Sequence, residues 1–229
     1  LDVFLDRHGF GRAFREWYFL PMLGCIWSCP TDQMLRFPVA TMVRFCHNHG
    51  LLQIQDRPQW FTVNGGSKRY VDTLLQRLPD KRLNTPVRAL LRDGVGVSVV
   101  TDGYTERFDH VVLATHSDQA LQMLSQPSQA EQKVLGAIAY QPNRAVLHTD
   151  VSVLPRQRKA WAAWNYERAP EQNRESSQVC LHYWINHLQP LPFAQDVVVS
   201  LNPVREIDPA QVLGEYSYAH PVFDLAAIQ

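Results

Sequence analysis

The sequence of 229 residues has no excess of charge of either sign, because its 22 Lys and Arg balance its 22 Asp and Glu. A neutral chain has no broad positive field that gathers phosphates, so we expect no nucleic-acid partner. The longest apolar run, residues 18–27, is ten residues long and contains Pro21. A helix that crosses a bilayer needs about 20 apolar residues, so we also expect no integral membrane segment.

Cysteine is scarce as well, with four residues in the chain, at positions 25, 29, 46 and 180. This density is far below that of a disulfide scaffold and favours a reduced, cytoplasmic protein. Cys25 and Cys29 have the i, i+4 spacing of one helix face, but Pro30 follows them. We expect buried thiols there rather than a metal or redox pair, and the sequence predicts no metal site.

The motifs with the most specific spacing are also absent. No G-x-G-x-x-G joins a strand to a helix, since Gly9 and Gly11 follow a helical stretch and Gly94 and Gly96 lie in a predicted hairpin. Neither G-x-S-x-G nor H-E-x-x-H occurs in the chain. Function must therefore be inferred from the order of the elements and from weaker motifs.

The first half of the chain changes from helical to strand-like periodicity. Residues 1–50 have helical spacing of apolar side chains and predict a helical layer. A short strand at 60–63 is followed by a Gly-Gly turn and a helix that begins after Ser67. Asp-Gly turns between strands at 87–108 predict an antiparallel meander. The continuous apolar run 111–115 predicts a strand that is buried on both faces.

The second half predicts a short helix and a mixed or antiparallel sheet. Thr115 with Asp118, and Ser128 with Glu131, have the spacing of a capping box at a helix start. The polar stretch 168–177 predicts a surface loop. Strand-like runs with many aromatic residues occur at residues 145–149, 161–166, 179–184, 197–201 and 216–218. The fold class is therefore α+β (mixed α/β).

Three stretches in a fixed order resemble the interior of flavin-containing amine oxidases. They are residues 61–67 (Phe-Thr-Val-Asn-Gly-Gly-Ser), 83–87 (Leu-Asn-Thr-Pro-Val) and 108–115 (Phe-Asp-His-Val-Val-Leu-Ala-Thr). The chain is most similar to the bacterial predicted NAD/FAD-binding proteins of that superfamily. Further matching stretches lie at residues 26–30, 47–50, 147–150 and 219–223. The resemblance therefore covers nearly the whole chain.

The resemblance implies the substrate domain of an amine-oxidase-like flavoprotein with an inserted β-meander portion of its FAD-binding domain. Residues 1–58 would be the helical part of the substrate domain, 59–125 the FAD-domain portion and 126–229 the sheet part. The opening residues resemble the middle of a helix, so we expect an interior piece of a longer protein, without the N-terminal Rossmann motif and the C-terminal FAD motif. FAD is then expected in the full-length protein but not in this chain alone. Self-association through the apolar residues 111–113 is also expected.

The same resemblance implies the residues around the cofactor. It places the backbone of Val87 against the adenine and places Ala114 and Thr115 close to the cofactor. Arg69 would point into the substrate cavity, and Arg144 occupies the place where many relatives carry a lysine near the flavin. Because arginine stays protonated and does not relay a proton as a tuned lysine does, oxidation of amines is left open.

On the substrate side, the candidates are His148, Trp161, Trp164 and Tyr166. Trp161 and Trp164 are three apart and face opposite sides of a regular strand, whereas Tyr166 shares the side of Trp164. Trp164 and Tyr166 would form an apolar wall with polar tips, and His148 would accept a proton near neutral pH. The predicted function is a two-electron oxidation of a small or apolar substrate by an FAD-dependent oxidoreductase. Two alternative functions stay open: a cofactor-free α+β module that binds an apolar ligand or a protein partner, and a desaturase or isomerase that uses the same flavoprotein frame. For the site residues, the alternative is an aromatic core with a hydrogen-bonded histidine.

Overall fold

The computed structural model describes residues 1–168 and 179–228, with the backbone alone for residues 31 and 32. It divides into two compact units. The first unit comprises Leu1–Val71 and Tyr140–Leu225, and the second comprises Asp72–Ala139 with the last residues of the chain. The domain boundaries implied for the full-length protein, at residues 58 and 125, remain predictions.

The first unit begins with the predicted layer of helices. They are α1 (Asp2–Arg7), α2 (Arg12–Phe14), α3 (Leu20–Trp27), α4 (Thr31–Leu35) and α5 (Val39–Asn48), with one π-helical turn at Arg15–Phe19. Their apolar faces form a core that includes Leu23, Trp27, Met34, Phe37 and Met42. Helix α3 ends where Ser28 adopts a left-handed conformation with φ of 49°. The prediction of a helical first quarter is therefore confirmed.

Helix α6 (Lys68–Gln76) follows the Gly-Gly turn as predicted, and the meander lies in the second unit. Its strands are β1 (Val87–Arg92), β2 (Val97–Thr101) and β3 (Thr105–Phe108), paired antiparallel in that order. Helices α7 (Ser117–Met123) and α8 (Gln129–Gly136) follow. The capping box of Ser128 and Glu131 is present at the start of α8, whereas α7 begins after His116 without a side-chain cap. The predicted box of Thr115 and Asp118 is therefore wrong.

Two predicted strands are also wrong. Residues 60–63 and 111–115 carry no regular secondary structure. A β-strand exists only where a neighbouring strand completes its hydrogen bonds, and no described strand pairs with either segment. Phe61 is 89% exposed and Val112 is 90% exposed, so these two apolar side chains face outward. The predicted burial of residues 111–115 on both faces is thus contradicted, while self-association through residues 111–113 stays a prediction.

A five-stranded sheet fills the rest of the first unit. Its strands are β4 (Ala139–His148), β5 (Trp164–Glu167), β6 (Cys180–Trp184), β7 (Val198–Leu201) and β8 (Val212–Val222), in the spatial order β5-β6-β7-β4-β8. The short helices α9 (Ile185–Leu188) and α10 (Leu225–Ile228) follow β6 and β8 along the chain. All five predicted aromatic strands are present with shifted ends. The surface loop predicted at 168–177 lies, beyond Arg168, outside the described residues.

The two faces of this sheet are buried by different parts of the first unit. On one face, Ala145, Leu181 and Leu201 form a cluster with Cys25 of α3. On the other face, Val146 and Val198 pack under the chain segments 153–154 and 207. Side chains alternate between the two faces along each strand, so this second face also receives every second residue of β5 and β6. Among the described residues, no helix combines the length and the apolar character needed to cross a bilayer.

Candidate functional site

A row of buried polar side chains crosses the second face of the sheet. The strand register places His182 of β6 opposite Ser200 of β7, and Glu167 of β5 opposite Cys180 of β6. His148 of β4 lies on the same face, because Val146, two residues earlier, is also paired with Ser200. His148, Cys180, His182 and Ser200 are all at most 1% exposed. A β-sheet thus gathers four polar residues from three strands inside an otherwise apolar layer.

These side chains form one continuous chain of hydrogen bonds that leads toward the surface. Nε2 of His148 lies 2.6 Å from Oγ of Ser200, and the same Oγ lies 2.6 Å from Nδ1 of His182. Nε2 of His182 lies 2.9 Å from Oε2 of Glu167. Nε of Arg205, whose side chain is half-exposed, donates to Oε1 of Glu167 at 2.8 Å. We call His148, Ser200, His182, Glu167 and Arg205 the polar chain.

The direction of the hydrogen bonds follows from the carboxylate at the outer end. A carboxylate only accepts, so Nε2 of His182 donates to Glu167 and its Nδ1 accepts from the hydroxyl of Ser200. The oxygen of Ser200 in turn accepts from Nε2 of His148. Nδ1 of His148 is then an acceptor, and it makes no hydrogen bond within the part of the chain that the structure describes. One tautomer of each imidazole therefore satisfies every hydrogen bond from Nε2 of His148 to Glu167, while Nδ1 of His148 is left without a partner among the described residues.

Burial decides the protonation state of these groups. It lowers the pKa of His148 and of His182 from the ordinary value of 6.5, although Asp150 acts against the shift at His148 and Glu167 acts against it at His182. Burial also raises the pKa of the Cys180 thiol to about 11. Removal from water disfavours the charged form of each group. At neutral pH both imidazoles are therefore uncharged and Cys180 is a thiol.

The first face of the sheet presents aromatic side chains at the β5 edge. Trp164 is 47% exposed and Tyr166 is 38% exposed, and both project from the same face of β5. The ring of Trp164 meets Tyr183 of β6 edge-on, with 5.8 Å between the ring centroids. Burial raises the pKa of Tyr183 to about 12 and that of Tyr166 in the same direction, so both phenols stay protonated. We call Trp164, Tyr166 and Tyr183 the aromatic wall.

Trp161 has a different environment from Trp164, in line with the predicted opposition of the two residues. It follows a 3₁₀ turn, Arg158–Ala160, and packs half-buried with the apolar cluster of the second face. Its Nε1 donates to the carbonyl of Pro155 at 2.7 Å, and the guanidinium of Arg158 lies 4.4 Å from its ring centroid. These contacts account for Trp161 as a packed side chain outside the aromatic wall.

The two arginines predicted beside the flavin are exposed on the first unit. Arg144 of β4 forms an ion pair with Glu215 of β8, the neighbouring strand. Arg69 lies in α6 and approaches Gly65, at which an added Cβ would come within 2.8 Å of its Nε. His148 is fully buried. The structure thus brings Trp164 and Tyr166 together and leaves the other substrate-side candidates in separate environments.

The residues predicted near the adenine and the cofactor lie in the second unit. Val87 begins β1 and is paired with Thr101 of β2. Ala114 and Thr115 are exposed, and the hydroxyl of Thr115 donates to the carbonyl of His116 at 3.1 Å. An apolar cavity of about 500 Å³ lies in the same unit. Its lining includes Leu90, Val97, Val111, Leu113, Leu124 and Val134.

Four residues of the polar chain were not predicted from the sequence as site residues. They are Ser200, His182, Glu167 and Arg205. The only local signal is the pair Cys180 and His182, which are two residues apart and therefore share one face of a strand. That signal lies within an aromatic run that indicates a buried strand and nothing more.

Solved structures of known proteins share this fold. A protoporphyrinogen oxidase-like protein from Exiguobacterium sp. 255-15 matches with a TM-score of 0.62 and 18% sequence identity, over 94% of this chain and 54% of that one. A CLA-producing fatty acid isomerase from P. acnes matches with a TM-score of 0.50 and 16% identity, over 96% of this chain and 54% of that one. The chain therefore spans about half the length of these proteins. At such identities the likeness shows the fold alone.

The family is shown by the sequence itself. A family model described as flavin containing amine oxidoreductase matches residues 28–190, well over half of the chain. The protein belongs to the flavin-containing amine oxidoreductase family. No match is found among curated proteins. The predicted resemblance and the α+β fold class are confirmed.

Proposed function

We propose that this chain is the substrate-side part of an FAD-dependent oxidoreductase that acts on a small or apolar substrate. The observation that carries the proposal is the family match across residues 28–190. Bound FAD would supply the two-electron acceptor, and the protein supplies binding, orientation and exclusion of water. Because the chain spans about half of the solved structures it matches, this activity is proposed for the whole protein.

The aromatic wall is the proposed substrate surface. Trp164 and Tyr166 are both exposed on β5, and each ring gains free energy when an apolar partner covers it. Trp164 and Tyr166 offer an apolar face, and the protonated phenols of Tyr166 and Tyr183 add hydrogen-bond donors at the tips. Such a surface orients a flat or hydrophobic substrate with a few polar groups.

The cofactor-side residues fit part of FAD. Ala114 and Thr115 are small and exposed, which allows close approach of a ligand, and they follow the segment of Val111 and Leu113 that lines the apolar cavity. Together with Val87, they are proposed to contact the adenine and its surroundings. The pyrophosphate needs backbone N–H groups at a G-x-G-x-x-G turn from a strand to a helix, and this sequence has no such motif. We therefore propose that the 229-residue chain alone does not retain FAD.

Burial changes the role that we propose for His148. A group that exchanges a proton with a substrate must reach it within hydrogen-bond distance or through one water, and the imidazole of His148 is fully buried under the sheet. We propose that His148 stabilises the packing of β4 against β7 through its hydrogen bond to Ser200. Arg144 and Arg69, which are exposed, remain the proposed cationic residues beside the flavin, and Trp161 supports the sheet at a distance from the aromatic wall.

The proposal is tested by measuring flavin reduction in the full-length natural protein. The protein is mixed anaerobically with a panel of apolar and amine substrates, and the loss of oxidised flavin absorbance is followed. Trp164→Ala should raise the KM of a substrate that reduces the flavin by about 10-fold, equivalent to about 1.4 kcal/mol of binding. Tyr216→Ala is the matched control, because Tyr216 is also exposed and lies on β8 at the opposite edge of the same sheet.

Three outcomes bear on the proposal. A KM effect confined to Trp164→Ala supports the aromatic wall as the substrate surface. Equal kinetics of the Trp164→Ala, Tyr216→Ala and unmodified proteins would reject the wall. A full-length protein that binds apolar ligands but neither contains nor accepts a flavin would reject the oxidoreductase and favour a cofactor-free binding module.

A further inference from the structure

Glu167 and His182 of the polar chain lie close to the thiol of Cys180, and these three side chains offer the atom types that bind a metal ion. Sγ of Cys180 lies 3.5 Å from Nε2 of His182 and 4.0 Å from Oε2 of Glu167. Nε2 of His182 lies 2.9 Å from the same Oε2. The three atoms thus form a small triangle of one sulfur, one nitrogen and one oxygen.

We propose that Glu167, Cys180 and His182 bind a single Zn²⁺ ion, with water as the fourth ligand. Zinc–ligand distances of about 2.0–2.3 Å in a tetrahedron require ligand atoms that are roughly 3.3–3.7 Å apart. Of the three observed separations, 2.9 Å lies below that range, 3.5 Å lies within it and 4.0 Å lies above it. Shifts of a few tenths of an ångström bring all three separations into the range. A mixed sulfur, nitrogen and oxygen set with an open position is typical of zinc and not of the oxygen-seeking cations.

The strand register holds the three ligands together before any ion arrives. Cys180 and His182 are two residues apart on β6 and therefore share a face, and Glu167 is the direct partner of Cys180 on β5. Cys180 and His182 are almost fully buried, while the carboxylate of Glu167 is 23% exposed. Glu167 therefore gives an ion a path from solvent to the thiol and the imidazole.

The hydrogen bonds from His182 through Ser200 to His148 are compatible with a metal-bound imidazole at His182. A histidine that binds zinc through Nε2 keeps its proton on Nδ1 and donates it to a neighbouring acceptor. Nδ1 of His182 lies 2.6 Å from Oγ of Ser200, which lies 2.6 Å from Nε2 of His148. On metal binding the two hydrogen bonds reverse direction: His182 donates to Ser200, and Ser200 donates to His148. No group in this part of the polar chain loses its partner.

The charges in the site are consistent with one divalent ion. A thiolate at Cys180 and a carboxylate at Glu167 neutralise Zn²⁺. Arg205 binds the other carboxylate oxygen, Oε1, at 2.8 Å, while its approach to Oε2 is longer, at 3.4 Å. Arg205 can therefore retain Oε1 while Oε2 turns to the metal. The half-exposed guanidinium then orients the ligand oxygen from the solvent side.

Binding of zinc should be visible as release of a proton. Zinc binds a cysteine as the thiolate, so the ion must displace the thiol proton of Cys180 when the metal–sulfur bond forms.

The proposal is tested on the whole chain with Co²⁺ as a spectroscopic probe and Zn²⁺ as competitor. Addition of Co²⁺ should produce a thiolate-to-cobalt charge-transfer band that saturates at one ion per chain and disappears when Zn²⁺ is added. Cys180→Ser should abolish the band. Cys25→Ser is the matched control, because Cys25 is also a buried thiol but packs with the opposite face of the sheet, and it should retain the band.

A further variant keeps the test decisive where Cys180→Ser fails to fold. Glu167→Gln preserves the size of a partly exposed side chain and should weaken Zn²⁺ binding in competition with a chromophoric chelator. Absence of a charge-transfer band in the folded unmodified protein, or a band that survives in Cys180→Ser, or zinc affinity that is equal in the Glu167→Gln and unmodified proteins, would each overturn the site.

Discussion

Replacement of Ser200 by alanine should destabilise the first unit strongly, although it removes a single oxygen atom. That oxygen bridges Nε2 of His148 and Nδ1 of His182, at 2.6 Å from each. Both imidazoles are buried, so no water replaces the lost hydroxyl. Each nitrogen left without a partner costs about 1–3 kcal/mol, so the free energy of unfolding should fall by about 2–6 kcal/mol. This is a large part of the roughly 5–15 kcal/mol that stabilises a typical domain.

The assay is urea unfolding followed by tryptophan fluorescence, together with a thermal melt. For a chain of this size, 1 kcal/mol changes the melting temperature by about 2–4 °C, so Ser200→Ala should lower it by at least about 4 °C. Ser217→Ala is the control, since Ser217 is an exposed residue of β8 in the same sheet. Its effect should stay within about 0.5 kcal/mol. If Ser200→Ala were as mild as Ser217→Ala, the polar chain would contribute nothing to stability and the reasoning would be refuted.

Three further predictions concern pH, a glycine and a helix cap. Burial lowers the pKa of His148 and His182, so the unfolded chain takes up protons first as pH falls. The free energy of unfolding should therefore decrease below about pH 6.5, by up to about 1.4 kcal/mol per pH unit for each histidine. Urea unfolding at a series of pH values measures this, and a free energy of unfolding that stays constant between neutral and mildly acidic pH would contradict it. Gly50→Ala places a Cβ 2.5 Å from Cδ of Pro58, at a backbone φ of +64°. The variant should lose more than about 1 kcal/mol of stability in a thermal melt. An unchanged melting temperature would contradict the left-handed conformation of Gly50. Ser128→Ala removes the cap of α8 and should cost about 0.5–2 kcal/mol in urea unfolding, a prediction that fails if the unfolding curve is unchanged.

The meander could be predicted from sequence because its information is local. The strands predicted within residues 87–108 are present as β1, β2 and β3, since Asp-Gly turns separate short strand-like runs. The run 111–115 has equally strong strand propensity but no regular structure, because pairing is a property of the partner strand as much as of the segment. Local patterns therefore predicted elements where the partner was the next strand in the chain, and failed where it was not.

The site residues show the same limit. The aromatic wall was predictable because Trp164 and Tyr166 belong to one strand and alternate with period two. The polar chain draws on β4, β5, β6 and β7, whose spatial order differs from their sequence order. Nothing in the sequence near His148 identifies Ser200 as its partner, since the register of β4 and β7 arises only when the sheet assembles. His148 was therefore recognised as a candidate, but its contacts were not.

FAD-dependent oxidation is the function that we propose for the whole protein. The measurement that tests it most directly is the visible absorption spectrum of the full-length protein, before and after anaerobic addition of substrates, with identification of any cofactor released by denaturation. We expect the absorption bands of an oxidised flavin before substrate is added, loss of these bands when a substrate reduces the flavin, and release of FAD on denaturation. A colourless full-length protein that still binds no FAD when the cofactor is added in excess would contradict the claim.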